Sequence, residues 1–309
     1  MRFTAEAIRA LGLDHAGYTA ARQARLCSKT KGAYFVSIFG YSPETFVNLF
    51  EDLYNFDEAC HRLGKKQALS ELLMTANWLK EGITFNSLGG RYDLNPETVS
   101  KKCWAYTYAI KKLYGVKVSL LCCLEWKYQL YGANFRSDCF RSIWRWHSFY
   151  FTVDGVHFSI YEPRDDPSSK WYSHKFNGPG LTYEIAVCIR ENRICWTNGS
   201  FPASKHDITI YREGLKALVP AGKKGIGDSG YYGGPATISV IRPNEPPNVK
   251  NFKEAARARQ ENVNGRLKEF AILEKCWHFH RDKHPVVFRA LIVMTQYNME
   301  TTRPLFSVY

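Results

Sequence analysis

Three acidic residues far apart in the chain, Asp154, Asp228 and Glu261, stand in surroundings suited to metal chemistry. Asp154 follows the run Phe149-Tyr150-Phe151-Thr152-Val153 and precedes Gly155, which reads as a buried strand ended by a glycine. Asp228 lies in Lys224-Gly225-Ile226-Gly227-Asp228-Ser229-Gly230-Tyr231, again an acid between small residues that admit close backbone approach. A buried carboxylate is costly unless something cationic meets it, so such acids belong at the rim of a sheet. Glu261 follows in a helical stretch. Two strand-end acids and one helix acid offer oxygen ligands only, the donor set of Mg²⁺ or Mn²⁺. Two such cations about 3.5–4 Å apart activate an attacking oxygen and steady the leaving oxygen of a phosphodiester.

The helix around Glu261 supports this reading. At helical spacing Arg257, Glu261, Gly265 and Lys268 share one face, while Val263, Leu267 and Phe270 form another, apolar one. On the first face Arg257 can orient the carboxylate, Gly265 leaves room for a substrate backbone, and Lys268 can meet a phosphate. Asp207, beside His206, either caps a following helix or joins the acids. Asp165 and Asp166 read as solvated turn residues. Cys276, His278, His280 and His284 contain zinc-ligand types, but their spacing alternates faces and does not match a closed site.

The elements that must position these groups fall into two kinds. Residues 1–62 are expected to be an N-terminal helical arm, loosely attached at first and firmer in a helix from Ser42-Pro43 to about Tyr54. Residues 63–143 read as an all-α, helix-turn-helix-like domain. In it a short helix from Phe85 is followed by a turn and a longer helix capped by Asn95-Pro96, with Ser100, Lys101 and Lys102 near its start as candidate DNA contacts. From 144 to 309 the periodicity changes. Strands are expected at 149–154, 181–189, 193–198 and 223–228, with helices at 208–218, 252–277 and 286–297. Three strands, a helix, a strand and a helix is the order of an RNase H-like α/β domain, a central mixed sheet flanked by helices.

The chain has 309 residues, with 42 Lys+Arg against 29 Asp+Glu and a net charge of +13. The excess is spread over both halves, which suits basic faces on folded domains meeting a polyanion, nucleic acid before membrane. Nine scattered cysteines without C-x-x-C spacing suit reduced thiols in an intracellular protein. No signal-peptide pattern opens the sequence and no apolar run is long enough to span a membrane.

VDG at 153–155, GSFPASKHD at 199–207, GDSGYYG at 227–233 and RARQENVNGRLKEF at 257–270 resemble PIF/Harbinger-type transposases, which are DDE superfamily endonucleases. The resemblance covers about residues 145–300, and the preceding helical region more loosely. It implies Asp154, Asp228 and Glu261 as a catalytic, metal-holding triad for two divalent cations. It further implies cutting of phosphodiester bonds at transposon ends and joining to target DNA. Lys223, Lys224, Arg257, Arg266 and Lys268 are the basic residues placed to hold backbone phosphates. The implied setting is the nucleus, with the cytoplasm also open. The implied partners are double-stranded DNA, a Myb-like DNA-binding protein and further copies of the chain on DNA. The alternative is a domesticated, catalytically silent derivative that binds DNA or protein.

Overall fold

The computed structural model describes residues 2–61, 63–120, 148–164 and 166–308. The segment 121–147 lies outside the described residues, and with it Cys122, Cys123 and Cys139 and the end of the expected helical domain. The chain divides into two compact units, one of Met1–Lys117 with Arg266–Pro304, the other of Val118–Gly265 with Leu305–Tyr309. The first therefore contains the segment expected as an arm, most of the segment expected as a helical domain, and part of the segment 144–309.

The first unit is helical: α1 (Ala5–His15), α2 (Ala20–Ala24), α3 (Ser28–Phe39), α4 (Pro43–Phe56), α5 (Glu58–His61), α6 (Lys65–Glu81), α7 (Phe85–Tyr92), α8 (Pro96–Lys112) and α9 (Tyr114–Lys117). The start of the chain is not a loose arm. Ile8 and Leu13 of α1 are fully buried, and Gly12 lets the Phe35 ring approach so closely that a Cβ there would lie 2.6 Å from it. The central helix α6 is buried almost all round from Ala68 to Leu79, the mark of a helix enclosed by others. Between α7 and α8, Asp93 adopts a left-handed conformation with φ 51°, and Asn95 caps α8 by accepting from the Glu97 N–H at 2.8 Å.

The second unit is a mixed sheet with helices. β1 (Phe149–Ser159) is followed by α10 (Ser168–Trp171), β2 (Tyr172–Ser173), β3 (Gly178–Cys188), β4 (Ile194–Pro202) and α11 (Asp207–Glu213). β5 (Lys224–Ile226), β6 (Ile238–Ser239) and α12 (Pro247–Lys268), which belongs to this unit as far as Gly265, complete it. β1 pairs antiparallel with β3, β3 antiparallel with β4 and β2, and β1 parallel with β5, itself parallel to β6. On one sheet face Phe151, Val153, Tyr211, Leu215 and Tyr231 form a core; Phe149, Ile226, Phe252 and Ala256 form another.

The sequence expectation ended the first strand at Asp154. The structure carries it to Ser159, because Gly155 pairs with Glu184 and the antiparallel ladder continues to Ser159 opposite Gly180. The expected helix 252–277 begins earlier and stops at Lys268. Phe270 takes extended backbone, its buried ring packs on Tyr41 with centroids 5.1 Å apart, and a short helix α13 (Ala271–Glu274) follows. The last helix, α14 (His284–Thr301), belongs to the first unit, where Tyr41 Oη and Thr295 Oγ1 lie 2.7 Å apart. The tail after Pro304 belongs to the second: the Leu305 N–H donates to Asn192 Oδ1 at 2.8 Å. There too the buried Arg259 donates to the carbonyls of Phe306, Cys188 (3.2 Å) and Glu191 (2.7 Å).

Candidate active site

The last parallel pair between β1 and β5 is Thr152 with Ile226. Asp154 and Asp228 each lie two residues beyond that pair, so the two acids stand beside one another where β5 has ended and β1 runs on paired with β3 alone, at the carboxyl end of β5. Asp228 caps the turn Ser229–Tyr231, its Oδ1 accepting the Gly230 N–H at 2.8 Å.

Asp154 is held from α12. Asn264 Nδ2 donates to Asp154 Oδ2 at 2.9 Å, and the Gly155 N–H donates to Asp154 Oδ1 at 2.9 Å. One strand step back, Thr152 Oγ1 donates to Gln260 Oε1 at 2.8 Å, and Gln260 Nε2 donates to Asn264 Oδ1 at 3.2 Å. Two residues along a strand span about 6.6 Å and four along a helix about 6 Å, so Thr152 and Asp154 match Gln260 and Asn264. The four side chains form one relay that fixes the carboxylate.

A third acid joins them. Asp207, the first residue of α11, occupies the space a side chain would take at Gly155, where a Cβ would stand 2.1 Å from Asp207 Oδ1. A Cβ at Gly230 would stand 3.0 Å from Asp228 Oδ1 and 3.2 Å from Asp207 Oδ2, so the two carboxylates border the same glycine. Burial, then the charges of Asp228 and Asp207, push Asp154 up to about 7. Burial and then Asp228 raise Asp207 as well. Behind them Glu184 is buried opposite Gly155. Its Oε2 accepts from Trp196 Nε1 at 3.1 Å, its Oε1 has no partner among the described residues, and burial pushes it up to about 8.

Glu261 stands elsewhere on α12. Its side chain is 68% exposed, and its carboxylate meets Arg257 at 3.7 Å. Among the described residues no hydrogen bond or ion pair joins it to Asp154, Asp207 or Asp228. It precedes Asn264 by three positions, about 60° round the helix, so it flanks the relay without entering it. The expected division of α12 is present: Val263, Leu267 and Phe270 are fully buried, and Glu261, Gly265 and Lys268 are exposed.

The candidate DNA contacts are in varied surroundings. Lys101 and Lys268 are exposed and Ser100 is half-buried. Lys102 is paired with Glu71 and Arg266 is buried, donating to the Arg303 carbonyl at 2.6 Å; both are structural contacts within the first unit. Lys223 Nζ lies 4.5 Å from the centre of the Tyr150 ring, and the Lys224 N–H donates to the Ser148 carbonyl at 2.8 Å. Cys276, His278 and His280 are exposed, whereas His284 is buried.

The acids fit an oxygen-loving divalent cation in their chemistry. They repel one another, and among the described residues no salt bridge offsets Asp154, Asp207 or Asp228. As they stand, no three His, Cys, Asp or Glu side chains of the described residues are close enough to hold one metal ion. Residues 153–296 match the family described as DDE superfamily endonuclease. The DDE match spans the three aspartates, Glu261 and Asn264, and it supports a transposase-like, nuclease-type enzyme with DNA as its substrate. DDE-type endonucleases generally use divalent metal ions. No curated protein and no solved structure matches the chain. Among the described residues no helix is long and apolar enough to cross a membrane.

Asp207, Asn264 and Gln260 are the site residues that sequence reasoning left open or missed. The signal for Asp207 was the pair of glycines, one after Asp154 and one after Asp228, which leave room for a further side chain. The signal for Asn264 was its place one turn after Gln260, which puts two amide side chains on one stripe of the helix.

Proposed function

We propose that the chain is a divalent-metal-dependent DNA endonuclease and strand-transfer enzyme of the PIF/Harbinger transposase kind, with Asp154, Asp228 and Glu261 as its catalytic and metal-holding acids. The observation that carries this reading is that Asp154 and Asp228 stand beside one another, each two residues past the last pair of the parallel strands β1 and β5, inside the segment that matches DDE endonucleases. Bound there, divalent cations would polarise the attacking and leaving oxygens of a phosphodiester. Asn264 and the Gly155 N–H hold the Asp154 carboxylate in one orientation, and the Asp228 carboxylate is fixed by the Gly230 N–H. Glu261 completes the set by turning inward from its place beside Asn264, releasing Arg257 to meet DNA. Exposed Lys268 and half-buried Lys223 and Lys224 would hold backbone without reading sequence.

The helix-turn-helix reading of α7 and α8, with Ser100 and Lys101 towards DNA, belongs to the same proposal. So do nuclear location, a Myb-like partner and assembly of several copies on DNA, by resemblance. The outward, Arg257-paired Glu261 favours one alternative, a domesticated derivative that binds DNA or protein without cutting.

The deciding experiment incubates purified chain with labelled DNA carrying the element's ends, in Mg²⁺, Mn²⁺ or EDTA, and scores nicking and strand joining. Metal-dependent nicking that Asp154→Asn abolishes while DNA binding persists supports the enzyme. Binding without nicking in either metal leaves the silent derivative.

A further inference from the structure

We propose that Lys175 is a substrate contact of the acid site, its ammonium taking a non-bridging oxygen of a DNA phosphodiester beside Asp154 and Asp207. The inference deepens the nuclease reading above and rests on it.

Lys175 lies in the turn between β2 and β3, and that turn is pinned to β1. Phe176 stacks on His157 with ring centroids 4.3 Å apart and planes 11° from parallel. The buried His157 ring fills the space left at Gly180, where a Cβ would come within 2.0 Å of it. Tyr172 Oη donates to Asn177 Oδ1 at 2.8 Å across the turn, and Asn177 holds φ at 55°. The anchor His157 is three residues from Asp154 and on the same strand face as Gly155, which Asp207 covers.

On this fixed turn Lys175 is exposed, with Nζ 5.4 Å from the Phe176 ring centre, and it forms no ion pair among the described residues. His157 and Gly155 are two residues apart on one strand face, about 6.6 Å, so the pinned turn sets the Lys175 ammonium on the side of β1 that Asp207 covers. Three carboxylates at the mouth of a site repel an incoming phosphodiester. A compact, mobile ammonium at the rim offsets that repulsion, and lysine serves phosphate as a point charge.

The test uses the full chain as wild type, Lys175→Gln and Lys175→Arg, with thermal melts to show that all three fold alike. Binding of a labelled double-stranded oligonucleotide is measured from 50 to 300 mM salt (roughly, the range over which phosphate contacts are read). Mn²⁺ binding is measured without DNA, and nicking of DNA in Mn²⁺. The contact requires that Lys175→Gln make the log–log salt slope shallower by about 0.9, one phosphate contact, and that Lys175→Arg restore it. A nearby like charge also requires Lys175→Gln to bind Mn²⁺ about fivefold more tightly. An unchanged salt slope overturns the phosphate contact. A changed slope with unchanged Mn²⁺ affinity overturns its place beside the acids. A wild type that never nicks, with both Lys175→Gln effects present, sinks the nuclease reading and leaves the contact standing.

Discussion

Replacing Glu184 by Gln should change the stability of the protein in a way that depends strongly on pH. Glu184 is 1% exposed, with one oxygen bonded to Trp196 and the other without a partner among the described residues. Burial first, and the charge of Asp207 in the same direction, let the folded protein hold the Glu184 proton up to about pH 8, whereas the unfolded chain releases it near 4.5. Between those values the folded state binds more protons than the unfolded one, so stability falls as pH rises through the window. At about 1.4 kcal/mol per tenfold, ionisation costs the fold about 1 kcal/mol at pH 5 and up to about 5 kcal/mol above pH 8. Gln at 184 removes that cost and keeps an acceptor for Trp196. Its amide brings donors into a place with no acceptor, at roughly 1–3 kcal/mol. The variant should therefore range from equal to wild type to about 2 kcal/mol less stable at pH 5, and be more stable by about 2–4 kcal/mol at pH 8.5. Urea unfolding of both proteins at the two pH values, without metal, measures this directly. A difference that does not change with pH would refute the reasoning, because it would mean that Glu184 is not held neutral by its surroundings.

Gly155→Ala should destabilise the second unit by about 1–3 kcal/mol and displace Asp207, since the new Cβ would meet a carboxylate oxygen rather than a pliable apolar tip. Reduced stabilisation by added Mn²⁺ in thermal melts would accompany it. Asn264→Ala removes the donor that orients Asp154 and should lower Mn²⁺ affinity or nicking roughly 10–100-fold, as for groups that orient metal ligands. Asn264→Gln, one methylene longer, should rescue it only in part, and wild-type Mn²⁺ affinity in the Ala variant would remove Asn264 from the site.

The sheet and its acids were legible because local patterns carry them. The run before Asp154 and the small residues around Asp228 announce strands, while the short strands β2 and β6 carry no such pattern. Gly155 misled the boundary of β1: a glycine reads locally as a stop, but here it makes room in mid-strand for Asp207. That residue was left open between capping and chemistry for a related reason. It does stand at the start of α11, and its approach to Asp154 and Asp228 depends on pairings more than 20 residues away in either direction. The Ala- and Arg-rich start of the chain hid Ile8 and Leu13, whose burial depends on Phe35 and other distant partners. Nor does any local feature of α14 say that it packs in the first unit, because an apolar helix records that it is buried and not against what. Lys102 read as a DNA contact from its place near the start of a helix and Arg266 from its place in the motif around Glu261; pairing of the first and burial of the second come from tertiary neighbours.

The return of the last residues to the sheet-containing unit has a practical consequence. The guanidinium of Arg259 reaches the backbone at Phe306, so that unit is not one uninterrupted stretch of sequence. A recombinant fragment cut at Gly265 would strip an acceptor from an interior charge and uncover the apolar cluster of Phe149, Ile226 and Phe252 on which Val308 packs. Poor yield or clumping of such a piece would report the missing tail and carry no information about the acids. Dissection of this protein should begin with the intact polypeptide and change side chains, not with a shortened one.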